Sequence, residues 1–243
     1  RQSVKAVIQQ LCSPFGIPVF VDSSAASAAA TIIESVKATE GDTVIEIIRQ
    51  ICNDYSIMPI TLGDGKLTLT QLISDRKTSD GITIPGNAVS AIFRGSDTDR
   101  YSEYVVKGVG IGTPEKSLPA FIQPRAMAKD SIVKNKRPRI IFAETAATSA
   151  SCERRAIWER NYNAGMSRQR EYTLSSWAQE NDVPWDIHNL VAVKDDFLKT
   201  AGQLYIREVE FTREDDTETC VVNCVDPATY SSTGTVQKME LDK

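Results

Sequence analysis

Four runs in the last third of the chain leave little freedom of architecture. REYTLSSW (170–177), NLVAVKD (189–195), QLYIREVEFTR (203–213) and ETCVVNCVD (218–226) are rich in β-branched and aromatic residues and have strand length. Such runs fit a pleated, half-buried surface. In QLYIREVEF, alternation places Tyr205, Arg207, Val209 and Phe211 on one face and Leu204 and Ile206 on the other. EDDTE (214–218) is a polar connection of hairpin type, so the third and fourth runs should pair antiparallel. A chain with this ending must be built around a sheet.

The beginning reads differently. In SVKAVIQQLC the apolar residues Val4, Val7, Ile8 and Leu11 recur at helical spacing, Ser3 is a cap, and Pro14 and Gly16 end the helix. IPVFVD comes next as a short strand and SSAASAAA as a loop or frayed helix start. GDTVIEIIRQICNDYSI predicts a second helix, capped by Asp42 or Thr43 and apolar at Val44, Ile47, Ile48 and Ile51. In ITLGDGKLTLT, Asp64-Gly65 predicts a hairpin with a type I′ turn, which needs positive φ at both central residues. Residues 1–80 thus read as an α+β module of helix, strand, helix and hairpin.

Residues 74–87 are turn-rich and read as a linker. AVSAIFRG (88–95) and SEYVVKGVGIG (102–112) are strands. Residues 113–139 hold Pro114, Pro119, Pro124 and Pro138 and read as a long irregular stretch, with a basic cluster of Arg125, Lys129, Lys134, Lys136, Arg137 and Arg139. IIFAE (140–144) is a short buried-strand candidate. Residues 148–170 predict the main helix, with Thr148, Ser149 and Ser151 as caps. Glu153, Arg154, Arg155, Glu159 and Arg160 would keep its surface polar; Cys152, Ala156 and Tyr162 or Trp158 would face inward; Gly165 would weaken its final turn. The tail STGTVQKMELDK is polar and expected to be loosely ordered. The second region, 81–243, divides at about 88–145 and 146–230. The fold class is α+β.

Little in the chain suggests chemistry. Gly108, Gly110 and Gly112 come after a β-branched run, but their G-x-G-x-G spacing is not the G-x-G-x-x-G of a dinucleotide loop. The next residues, TPEKSLPAF, oppose a long helix, so the glycines mark a bend or a close backbone approach. Five cysteines, Cys12, Cys52, Cys152, Cys220 and Cys224, are odd in number and scattered, which is no disulfide framework. Cys220 and Cys224 could be half a metal site, yet His188 is the sole histidine and no second pair exists; they read as buried small hydrophobes. His188 lacks a nucleophile elbow and reads as structural. Glu103, Glu144 and Glu171 could in principle supply the paired carboxylates of glycoside hydrolysis, and a peptidoglycan-binding or -cleaving tail protein is the alternative reading. No catalytic, cofactor-binding or metal-ligating residue is assigned. The net charge of −4 gives no general reason to expect nucleic-acid binding. The basic cluster is the local exception: a solvated loop first, then a contact for an acidic protein surface, and last a contact for a polyanion such as DNA, for which it lacks the interleaved aromatics of a single-strand platform. No apolar run reaches the length of a membrane span.

Several stretches, in order, resemble the Mu-like phage tail baseplate hub proteins, the tail protein P or late-control D type of contractile tails. They are LCSPFGIPV (11–19), GDTVIEIIRQICNDYSIMPITLGDGKLTLT (41–70), RYSEYVVKGVGIG (100–112), the stretch from RPRIIFAE to RRAIWERN (137–161), REYTLSSWAQENDVPWDIHNLVAVKDDFL (170–198) and VNCVDPATY (222–230). The 113–139 stretch matches poorly. The resemblance implies β-barrel-like hub domains after the α+β module and a non-enzymatic, structural virion protein at the tail baseplate, made in the host cytoplasm. It implies a homotrimer joining the tail tube protein to the central spike protein among other baseplate proteins, with related hubs in tailocins. It implies a further domain before residue 1, in keeping with a chain that opens without Met. Trp158, Trp177, Trp185, Tyr101 and Tyr104 are candidate anchors of core or interface.

Overall fold

The computed structural model describes residues 2–33, 36, 38, 40–71, 76–108, 124–143, 147–215 and 217–232. They fall into two units. One holds the described residues up to 71 together with 101–160 and 230–232; the other holds 76–100 together with 161–229.

In the first unit, β1 (Gln2–Ser3) leads into α1 (Val4–Cys12), whose cap is Ser3: its hydroxyl accepts the Ala6 N–H at 3.2 Å. A turn of 3₁₀ helix and Gly16, at φ +67°, end it. β2 (Val19–Val21), α2 (Ala26–Ala30) and β3 (Ile32–Ile33) come next. α3 (Val44–Asp54) opens with a capping box in which Thr43 and Glu46 satisfy each other's backbone N–H groups. β4 (Met58–Thr61) and β5 (Leu67–Thr70) form the expected hairpin. Its turn differs from expectation: Thr61 pairs with Leu67, so the loop has five residues. Positive φ falls at Gly63 and Gly65 rather than at Asp64 and Gly65. Val4, Ile8, Ile48, Ile51, Cys52 and Leu69 fill the core beneath the helices. The helical spacing of the sequence is therefore the spacing of its buried face.

The later elements are β6 (Ile82–Ile84), β7 (Ala88–Gly95), β8 (Glu103–Lys107), β9 (Arg125–Lys129), β10 (Pro138–Phe142), α4 (Ser149–Met166), β11 (Arg168–Leu174), β12 (Leu190–Asp195), β13 (Thr200–Glu214) and β14 (Thr217–Val225). β10, β8 and β9 form a three-stranded sheet in the first unit. The basic stretch is thus not irregular where described: Arg125–Lys129 and Pro138–Phe142 are strands on either side of β8. Nor is β10 buried. It is an edge strand, with Ile140 55% and Phe142 72% exposed. Val106, Ala128 and Ile141 face Cys152 and Ala156 of α4, the inward residues expected of it.

The second unit is a six-stranded sheet in the order β6-β12-β13-β14-β11-β7. Its two end strands are consecutive in sequence, joined only by residues 85–87. A sheet whose ends are tied by so short a turn must curl, and this one is a half-barrel. Residues 76–87 are therefore not a linker. Lys77 bridges to Leu190, and β6 runs parallel to β12. The curled sheet encloses Tyr172, Leu174, Val191, Leu204, Ile206 and Val222.

Alternation along β13 breaks once. Ile206 pairs with Cys224 and Glu208 with Asn223, so Arg207 is an extra residue without a ladder partner. This β-bulge resets the phase. Val209 packs with Leu204 and Ile206 instead of opposing them, which corrects the face assignment read from strict alternation.

α4 differs from expectation in its end and in its Arg155–Glu159 pair. The helix stops at Met166, because β11 begins at Arg168. Gly165, one residue before that end, permits a close contact: a Cβ there would lie 1.9 Å from Thr229 Oγ1. Arg155 and Glu159 do not solvate its surface. They form an ion pair at 2.7 Å with 12% and 8% of their side chains exposed. The C-terminal tail from 233 lies outside the described residues.

Candidate functional site

Each candidate among the described residues has a structural occupation. Gly108 sits where its chain closes on α4's approach: a Cβ would lie 2.4 Å from the Ala147 Cβ, and its N–H donates to the Pro124 carbonyl at 2.9 Å. Close approach is its use. Gly110 and Gly112 lie outside the described residues.

All five cysteines are free and buried. Cys220 and Cys224 project into the core of the half-barrel from β14, and burial pushes the thiols of Cys52 and Cys220 up to about 12. Among the described residues no three His, Cys, Asp or Glu side chains converge as metal ligands. His188 takes a left-handed conformation at φ +63°, and its Nδ1 meets the Tyr205 hydroxyl. Burial lowers the pKa of the imidazole. Glu103 lies 3.9 Å from Lys129, and Glu171 lies 2.8 Å from Arg94. Each is paired with a cation; Glu144 lies outside the described residues.

The aromatic candidates divide. Trp185 and Tyr104 are core residues. Trp177 is half-buried and its Nε1 donates to the carbonyls of Thr212 (3.2 Å) and Thr219 (2.9 Å), a cross-strand pair near the turn of the β13–β14 hairpin. Tyr101 lies under Arg137 and Arg139, whose guanidinium carbons are 4.7 and 5.4 Å from its ring centre. Trp158 stacks similarly with Arg155 at 5.4 Å.

One concavity was not legible in the sequence. A cleft of about 660 Å³ in the second unit is lined by residues 79–87 and 174–185, including Asp80, Asn87, Gln179 and Trp185. Its polar groups are committed to the backbone. Gln179 Oε1 accepts from the Ser79 and Asp80 N–H groups at 2.9 and 3.2 Å, and Asn87 bridges Thr83 and Gly81. Its lining holds two carboxylates, Asp80 and Glu180, and Asp80 accepts the Glu180 N–H at 2.5 Å. The arrangement ties a loop to the half-barrel; it does not assemble a nucleophile with a base.

Several large apolar side chains are exposed. Met127, Ile140 and Phe142 stand out from the β10-β8-β9 sheet, and Phe15 and Phe20 from the first module. No described helix is long and apolar enough to cross a membrane.

Comparison with known proteins agrees with the resemblance read from the sequence. Residues 1–71 match the family described as baseplate hub protein gp44-like, second domain. The chain is 22% identical over 197 residues to the baseplate hub protein gp44 of Escherichia phage Mu, covering 79% of this chain and 51% of that protein. It therefore spans about half the length of that curated relative. Its fold is that of solved phage tail proteins. The 43 kDa tail protein of prophage MuSo2 from Shewanella oneidensis matches with a TM-score of 0.78 at 24% identity, over 95% of this chain and 67% of that one. A tail protein from Neisseria meningitidis MC58 matches with a TM-score of 0.73 at 14% identity, over 92% and 66%. The resemblance to the Mu-like baseplate hub proteins holds.

Proposed function

We propose that this chain is a structural part of the baseplate hub of a contractile phage tail, a homotrimer that connects the tail tube to the central spike. The observation that carries the reading is the gp44-like match of residues 1–71 joined to a tail-protein fold that extends over 95% of the chain. Two features support a building role. Two of the candidate carboxylates, Glu103 and Glu171, are paired with cations, and the large cleft is held by its own hydrogen bonds. Apolar side chains stand exposed on a sheet face, as at interfaces.

On this reading the partners are further copies of the chain, the tail tube protein, the central spike protein and other baseplate proteins, and the location is the virion baseplate after synthesis in the host cytoplasm. A hub of a tailocin would use the same architecture.

The test is direct. The 243-residue chain at micromolar concentration should sediment at three times 26.8 kDa, and a labelled copy should appear at the baseplate of intact particles. A stable monomer removes the trimer; a label elsewhere on the particle removes the hub.

A further inference from the structure

The sheet of β10, β8 and β9 has two dissimilar faces. Val106, Ala128 and Ile141 are covered by α4. The register puts Met127, Ile140 and Phe142 on the other face, together with Lys107, Arg125 and Lys129. Glu103, the carboxylate on that face, lies 3.9 Å from Lys129. The three apolar side chains are 45%, 55% and 72% exposed. This is an apolar centre with a cationic rim. Its surroundings deepen the charge: residues 125–139 hold six cationic side chains against one carboxylate, Asp130.

The same chain carries the opposite strip. Beyond the bulge at Arg207, β13 continues past the end of β12, which pairs only with Thr200–Tyr205. There Val209 packs inward, so Glu208, Glu210 and Glu214 share the outward face, with neighbours two positions apart separated by about 7 Å. All three are exposed. Residues 207–218 hold six carboxylates against two arginines. The protein is close to neutral overall, at −4, yet it is locally polarised into one basic face and one acidic ribbon.

We infer that the basic face of the β8–β10 sheet docks the acidic β13 ribbon of a second copy of this chain. Charge complementarity selects that occupant. A self-contact of the basic face would bring like charges together, whereas a head-to-tail contact matches opposite charges at every joint. Contacts of that kind close into rings when the rotation allows. The inference rests on the trimeric reading above and names the surface that makes it.

The experiment uses charge reversal and its compensation in the 243-residue chain. The triple variant Lys107→Glu, Arg125→Glu, Lys129→Glu should raise the trimer dissociation constant at least about tenfold while leaving the circular dichroism spectrum unchanged. Adding Glu208→Lys, Glu210→Lys and Glu214→Lys should restore the trimer. In the unaltered protein, raising the salt concentration to about 1 M should weaken assembly, because screening acts on the rim charges.

A trimer that ignores both the triple reversal and salt overturns the inference and leaves the trimeric reading standing. An unaltered chain that stays monomeric overturns both. Loss of the trimer that the compensating changes do not repair also overturns it. So does a triple reversal that spares the trimer but abolishes binding of a short DNA duplex, because the face would then belong to a polyanion.

Discussion

Gly165 and Thr229 touch so closely that a side chain at the first has no room: a Cβ on Gly165 would lie 1.9 Å from Thr229 Oγ1 and 2.7 Å from its Cβ. Thr229 is fully buried, and its hydroxyl donates to the Asp226 carbonyl, so it cannot simply swing away. Alanine at a helical glycine ordinarily adds about 1 kcal/mol of stability. Here Gly165→Ala should instead cost about 1–3 kcal/mol through overpacking. The urea midpoint reports the sign. Adding Thr229→Ala should recover part of the loss.

The Arg155–Glu159 pair makes a second prediction about α4. With 12% and 8% of the side chains exposed, either charge left alone would be costly. Glu159→Ala should destabilise by about 3–5 kcal/mol, whereas replacing both residues with apolar ones of similar volume should cost much less. Chemical denaturation of the three variants measures the difference. Equal losses for the single and double variants would show that packing, not charge, holds this part of the helix.

The same helix marks the limit of what the sequence discloses. Helical spacing exposes α1 and α3 because each buries one apolar stripe, as Ile47, Ile48 and Ile51 do. α4 buries Glu159, Asn161 and Asn163 alongside Cys152 and Ala156, so no apolar stripe exists to be read. Strands β11 to β14 were legible because β-branched runs bounded by turns have few other uses. The phase of β13 was not, because a bulge depends on the partner strand and leaves no local mark. β9 is hidden, and β10 reads as a buried strand, for a different reason: their exposed faces carry Arg125, Lys129 and Phe142 in place of a clean polar pattern. The cleft beside Gln179 joins segments about a hundred residues apart, which no local pattern can announce.

His188 gives a pH prediction. Burial holds its pKa below the ordinary 6.5. The unfolded chain then binds the proton more readily than the folded one. The resulting stability is fully present above pH 6.5 and is lost as pH falls below it toward the folded value. Between pH 7 and pH 5 the unaltered protein should lose more stability than His188→Asn, which tolerates the left-handed backbone at φ +63°. Parallel pH profiles for the two proteins would exclude the imidazole as the source.

The thiols should be silent in the folded protein. With Cys52 and Cys220 pushed up to about 12 by burial, almost no thiolate exists at pH 8. A thiol-reactive dye should label these two positions only as fast as the units open, and should label all five cysteines rapidly in denaturant. Fast stoichiometric labelling of the native chain would contradict their place in the two cores.

The bulge at Arg207 can be removed, and the outcome distinguishes a packing device from a structural necessity. Arg207 has no ladder partner, while Ile206 pairs with Cys224 and Glu208 with Asn223. Deleting Arg207 leaves the pairs on both sides in register and restores plain alternation, with Ile206 and Val209 inward and Glu208 outward. The losses are the Arg207–Gln169 hydrogen bond at 3.2 Å and the extra local twist. The deletion should therefore fold, at a cost of about 1–2 kcal/mol. Deleting Val221 is the contrast: it is laddered to Glu210 on one side and Thr173 on the other, so its loss inverts the faces of β14 relative to both neighbours. That variant should not fold. If deletion of Arg207 proves as damaging as deletion of Val221, then the twist supplied by the bulge is what lets the half-barrel curl.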